Sequence, residues 1–185
     1  ELSDRAECVV VLAHVADLSG FVSGLRTILK PGGVAVIEAP YVRDLIEQCE
    51  FDTIYHEHLC YFSVTALCRL FNDRGLGLTE VRRLPTHGGS LRVYASPGAE
   101  NSSQVEQILD EEQQLGLDQH EYYSSFADSV QRVQSDLTST LESLVSQGHR
   151  VAAYGAAAKG TILLNSAEVD PSHLEFVVDR NVHKL

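Results

Sequence analysis

The stretch from Cys8 to Pro40, CVVVLAHVADLSGFVSGLRTILKPGGVAVIEAP, decides the fold class. CVVVL, Cys8 to Leu12, is a short apolar run of the kind that makes a buried strand, and Leu18 to Leu29 repeats apolar residues at helical spacing. A turn at Lys30-Pro31-Gly32-Gly33 leads into VAVIEAP, a second buried strand. Strand, helix and strand in this order form the unit of a parallel α/β sheet.

Further along, a short helix is expected over Arg43 to Gln48. Ser63 is a good N-cap for the helix VTALCRLFNDRG, which Gly75 would close. Two β-like runs, Leu76 to Leu84 and Ser90 to Ala95, are joined by PTHGG and read as a hairpin or sheet edge. From about Ser102 to Gln147 the composition turns to Gln, Glu, Asp and Ser, with Phe126, Val130, Val133, Leu137, Leu141 and Leu144 three or four apart. That stripe predicts a long amphipathic helix preceded by a shorter one. Its heptads are too few for a partner-binding coiled coil, so a solvated brace is expected. The pattern breaks at Gly148, and VAAYGAAAKGTILLN then reads as strand, glycine turn and helix, followed by the strand LEFVVDRN. The sequence is therefore expected to divide into an α/β part over 1–100, a helical connector over 101–148 and, over 149–185, the truncated start of a second α/β unit.

With 185 residues, 44% of them hydrophobic, the chain can bury a real core. A net charge of -12 speaks against nucleic acid as a partner, so an anionic ligand must be held by local groups. Neither a signal peptide nor an apolar run of membrane-spanning length is visible. Cys8, Cys49, Cys60 and Cys68 form no CxxC pair, which fits free thiols in a reducing cytoplasm. The sequence opens on ELSDRAECVVVL, without Met and already entering an apolar strand, as an excised fragment would, with part of the site expected upstream.

Chemistry concentrates in Phe51 to Phe62, FDTIYHEHLCYF, where Tyr55, His56, Glu57 and His58 are consecutive. His and Glu are seldom fully buried unless paired or used. In an extended segment Tyr55 and Glu57 would share one face, and His56 and His58 the other; in a loop this alternation lapses. A neutral His is suited to take the proton beside a ketone, leaving a carbon nucleophile if the enolate is stabilised. The competing readings are a satisfied polar cluster and a metal pair at HxH, for which no further ligands lie at metal spacing. His14 closes the first strand, where α/β folds bind ligands, although a His in that place can be purely structural. His87, with Gly88, Gly89 and Ser90, is either only a tight turn or a place where its backbone amides or Arg92 touch the substrate. In YGAAAKG the full GxGxxG spacing is missing, and Asp179, about twenty residues past Lys159, matches a ribose-binding acid only loosely. Gly155, Lys159 and Gly160 could face a diphosphate at the helix N-terminus, or the loop could be a packing turn.

HVADL at His14, KPGGVAVIEAP, FDTIYHEHLCYFS, THGGSLRVYA and VAAYGAAAKGTILLN occur in an order that resembles the S-adenosylmethionine-dependent sugar C-methyltransferases acting on nucleotide-linked keto-deoxysugars. The resemblance spans nearly the whole chain, and the IYHEHLxYFS and HGGSLRVY pair is its specific part. It implies the latter part of a class I methyltransferase domain followed, after the helical segment, by a second Rossmann-like α/β lobe, with substrate between them. It places the base on His58, with Tyr55 and Glu57 beside it, and points to His14 as a site residue. S-adenosylmethionine is the implied cofactor, with Leu12, Ala13 and Val15 near it. A glycine-rich methyl-donor loop and a zinc-binding segment are implied only upstream of Glu1. The expected reaction is C-methylation of a nucleotide-linked, dTDP-type 4-keto-deoxysugar, at carbon 3 by family precedent. The alternatives are an NAD(P)-dependent oxidoreductase built on YGAAAKG and a non-catalytic nucleotide-sugar binding lobe.

Overall fold

The computed structural model describes residues 2–9 and 11–181. They fall into two compact units, Glu1–Gln48 with His56–Ser124, and Cys49–Tyr55 with Ser125–Leu185.

The first unit is built on a four-stranded mixed sheet. Strand β1 (Ser3–Val9) is followed by a 3-10 turn (Leu12–His14), helix α1 (Leu18–Ile28), strand β2 (Leu29–Pro40) and helix α2 (Val42–Glu47). Helix α3 (Val64–Asn72), strands β3 (Leu76–Leu84) and β4 (Ser90–Pro97), and helices α4 (Ser103–Leu115) and α5 (His120–Tyr123) complete it. The strand order is β1-β2-β4-β3, with β1 parallel to β2 and the remaining neighbours antiparallel. The expected strand-helix-strand unit and the β3-β4 pairing are both present.

Three local readings shift. The first strand ends at Val9, and Leu12 starts the 3-10 turn in which the His14 N–H donates to the Val11 carbonyl. An apolar run shows where chain is buried, but cross-strand pairing sets where a strand stops, and the last pair is Val9 with Glu38. The Lys30-Pro31-Gly32-Gly33 turn lies inside β2 as a bulge: Ser3 pairs with Leu29 and Arg5 with Val34, and Gly32 takes φ +77°. Finally, Tyr55 to Tyr61 is turn and loop, not strand, so the alternation of faces does not apply to the Tyr-His-Glu-His cluster.

The helix signals translate directly. Ser63 caps α3 by accepting from the Ala66 N–H at 3.0 Å, and Val64, Leu67, Cys68 and Phe71 form its buried stripe. Asp17 caps α1 in the same way, through the Gly20 N–H at 2.8 Å. Together with Leu12, Ala13, Val22, Ile37, Ala39, Tyr41, Phe62, Leu78, Leu91 and Val93, the α3 stripe makes one continuous core.

In the second unit the long helix α6 (Phe126–Ser146) carries the apolar stripe, and Gly148 follows it at φ +82°. A two-stranded parallel sheet, β5 (Ala152–Tyr154) and β6 (Phe176–Val178), is joined by α7 (Ala158–Ser166). The segment 49–55 packs in this unit, with Phe51 and Thr53 buried. No helix among the described residues is long and apolar enough to cross a membrane.

Candidate active site

The 3-10 turn after β1 and the loop 56–62 are stitched together by backbone. The Leu59 N–H donates to the Ala13 carbonyl at 2.8 Å, which lays the loop along the turn. His14 Nδ1 is 2.7 Å from the Glu57 carbonyl, so Nδ1 carries the proton in that contact and Nε2 is left as the basic nitrogen when the ring is neutral. The His58 ring lies 5.0 Å from that of His14, and the Tyr61 ring meets His58 edge-on at 6.2 Å. His58 is half-buried, whereas His56 and Glu57 are exposed and 3.9 Å apart. The turn and the loop thus bring together His14, His58 and Tyr61, with the Glu57 backbone as the link. Tyr55 belongs to the second unit.

At its far end the loop is pinned to β2. Phe62 bridges to Tyr41, and the Val42 N–H donates to the Phe62 carbonyl at 2.9 Å. Tyr41 also donates its N–H to the Gly89 carbonyl, which ties the THGG turn to the same point. In that turn His87 is exposed at φ +56°, and the buried Ser90 hydroxyl donates to the Thr86 carbonyl. Gly89 is required: at φ +120° an added Cβ would meet the Asp44 side chain at 2.3 Å.

Three buried acids escaped the sequence reading. Glu38, near the end of β2, accepts from Arg92 at 2.8 Å and from Thr86 at 3.3 Å, and the bond to Arg92 raises the Arg92 pKa. Arg92 is thereby fixed opposite Glu38 in the β2-β4 register. Asp44 is held by Arg83 through both carboxylate oxygens. Glu112, on α4, is 1% exposed. The signal was available: Glu112 continues the apolar face of Val105, Ile108 and Leu109 at helical spacing, and Glu38 interrupts an apolar strand.

In the second unit the N-terminus of α7 carries Lys159, whose Nζ lies 2.6 Å from Glu50 and 3.8 Å from Asp52. Gly155 takes φ +103°, and its N–H donates to the Val178 carbonyl. The Ala156 N–H donates to Asp179 at 2.7 Å, so this acid closes the glycine turn from within. Gly160 sits in ordinary contact beneath Gly155, where a Cβ would lie 3.5 Å from its carbonyl oxygen. A cleft of about 350 Å³ lies along Gly155, Gly160, Thr161, Leu164 and Val177.

The side chains of Leu12 and Ala13 are fully buried, so only their backbone can face a ligand, and the Ala13 carbonyl already serves Leu59. Val15 is half-buried, and Val11, 44% exposed, offers apolar surface at the same turn. Among the described residues no three His, Cys, Asp or Glu side chains gather as a metal site would need.

A sheet of this order, with a parallel pair and antiparallel additions, defines a class I methyltransferase-like fold, and residues 4–81 match the model of a methyltransferase domain. Residues 85–185 match the model of the C-methyltransferase C-terminal domain, and the chain belongs to that family of C-methyltransferases. It is 36% identical over 175 residues to the C-methyltransferase NovU of Streptomyces niveus, covering 93% of this chain and 42% of that protein. The chain thus spans about two fifths of the length of this relative. Among solved structures, it is similar to a complex of the Haloferax volcanii Trm112 methyltransferase activator with a methyltransferase. The TM-score there is 0.44 and the identity 16%, over 55% of this chain and 56% of that one. Magnesium protoporphyrin IX methyltransferase from Synechocystis PCC 6803 with bound SAH gives a TM-score of 0.41 at 16% identity, over 52% of this chain and 45% of that one. The family assignment rests on the sequence matches.

Proposed function

We propose that this chain is the catalytic and C-terminal part of an S-adenosylmethionine-dependent C-methyltransferase whose substrate is a nucleotide-linked, dTDP-type 4-keto-deoxysugar. The observation that carries this reading is the His14–His58 pair, set by backbone bonds at the end of a parallel strand. S-adenosylmethionine supplies the methyl group as a sulfonium-bound electrophile. His58 removes the proton from the carbon beside the ketone, His14 is held beside it by the Glu57 carbonyl, and the Tyr55 hydroxyl, a donor, stabilises the enolate oxygen. The exposed Val11, the half-buried Val15 and the backbone of Leu12 and Ala13 form a wall for the methyl donor.

Within the first unit the THGG turn, with His87, Ser90 and Arg92, is the proposed sugar contact; within the second, Gly155, Lys159 and Gly160 are the proposed diphosphate contact. Parallel pairing of β5 and β6 around a glycine turn supports a Rossmann-like character for 149–185, with 1–100 as the methyltransferase part and 101–148 as connector. The commitment of Asp179 to the Ala156 and Asn181 N–H groups favours methyl transfer over a nicotinamide-dependent reaction, which would use that acid on a ribose.

The test uses the full-length gene product with a dTDP-4-keto-6-deoxysugar in deuterated water, following C–H exchange beside the ketone by NMR. Wild type exchanges this proton, and His58→Asn slows it by about 10²–10⁴-fold, the usual contribution of a general base. Equal exchange in both proteins would remove His58 from the role. No exchange in either would remove the substrate class.

A further inference from the structure

The α3 N-terminus presents a feature that no step of the proposed chemistry uses. Glu112, reaching in from α4, places Oε1 2.9 Å from the Tyr41 hydroxyl and 2.7 Å from the Val64 N–H. Its Oε2 lies 2.8 Å from the Thr65 N–H and 2.6 Å from the Thr65 hydroxyl. Backbone N–H groups can only donate, so each carboxylate oxygen accepts at least one bond, which a neutral amide could satisfy on only one side. Ser63 takes the third N–H of the helix, that of Ala66. A helix start is thus satisfied by its own cap and by one remote carboxylate, with the helix dipole favouring that negative charge.

The groups that Glu112 holds are the two ends of one short tether. Tyr41 is the β2-side partner of the Phe62 bridge, and Val64 and Thr65 follow Ser63 directly. Between this anchor and the Leu59–Ala13 bond run only Cys60, Tyr61, Phe62 and Ser63, and Tyr61 packs edge-on to His58. Among the described residues of this unit, the other buried acids, Glu38 and Asp44, bind arginines, and Glu112 binds donors that flank the histidine loop. We infer that Glu112 is a positioning residue for His58, setting the height and pitch of the loop 58–62 through Tyr41 and the first turn of α3. This rests on the reading of His58 as the base.

Glu112→Gln keeps the shape but loses the second acceptor, and Thr65→Val removes one donor while leaving the carboxylate. In the full-length protein, kcat for Glu112→Gln falls by about 10²-fold with KM nearly unchanged, as expected when a base is displaced while substrate binding stays intact. Thr65→Val falls less, and Glu111→Gln, one residue away on the exposed face, keeps wild-type kcat. In the substrate-free protein, NMR of the His58 ring shows changed ring chemical shifts and a weakened approach to Tyr61 in Glu112→Gln but not in Glu111→Gln. A folded Glu112→Gln protein with wild-type kcat and an unmoved His58 ring would overturn the inference. So would a change that appears only in KM or only in thermal stability. If wild type itself neither exchanges nor methylates while the His58 ring still moves in Glu112→Gln, the reaction assignment fails and the positional coupling stands.

Discussion

The turn-and-loop site of the first unit and the glycine turn of the second have similar raw material, a polar cluster at the end of a parallel strand, but they are held in different ways. His14 and His58 sit on backbone bonds that lead within a few residues to fully buried side chains such as Leu12, Ala13 and Val64. Gly155 and Lys159 sit on a small sheet where Tyr154 is 77% exposed and Phe176 51%, and α7 buries none of its residues. One site is fixed by a core, the other by its own ion pairs and turn bonds. Of the two, the first is therefore the more firmly held.

The sharpest way to break this contrast is through the cores. Phe71→Ala empties a fully buried aromatic site and is expected to lower stability by about 3–5 kcal/mol in denaturant unfolding, while Leu141→Ala in α6 costs about 2 kcal/mol, the lower end for its class. Equal losses would end the comparison. Next, Gly89→Ala forces a Cβ into Asp44 at a positive φ and should cost about 1–3 kcal/mol. Melting curves would reveal it, together with a release of Arg92 and His87 from their places.

Alkaline pH probes the same anchor. Burial first, then the Glu112 charge and hydrogen bond, push the Tyr41 hydroxyl well above the ordinary tyrosine range. Its folded-state pKa is raised, so its contribution is fully present below about pH 10, where unfolded tyrosine ionises, and is lost progressively above it. Unfolding titrations from about pH 9 to about pH 12 should show a smaller alkaline loss in Tyr41→Phe than in wild type. Smallest of all, Lys159→Ala should change stability by about 0–1 kcal/mol, because its pair with Glu50 is partly solvated. Unchanged nucleotide affinity in the same variant would return YGAAAKG to a packing turn, whereas a tenfold loss would support the diphosphate contact.

Much of the first unit was legible because its signals are local. The Ser63 cap, the α3 stripe, the β3-β4 hairpin and, in the second unit, the long α6 stripe depend on near neighbours in the chain. The candidate cluster stood out for the same reason, as four polar residues in a row. What stayed hidden depends on distant partners. The bulge at Pro31 to Gly33 exists only against β1, and the end of β1 only against Glu38. Glu112 looked like one more acid in DEEQQ, since nothing local distinguishes it from Asp110 and Glu111 except its place on the apolar face. The pairing of Lys159 with Glu50 crosses 109 residues and leaves no trace in either segment.

The long reach of Glu112 has a consequence in time. Its bonds to the start of α3 span 47 and 48 residues, and that to Tyr41 spans 71. A ribosome adding about 5–20 residues per second takes about 2–10 s to pass from Val64 to Glu112. During those seconds the nascent chain already carries the histidine loop but lacks the carboxylate that completes it, so this segment cannot reach its final hydrogen bonding until α4 has been made.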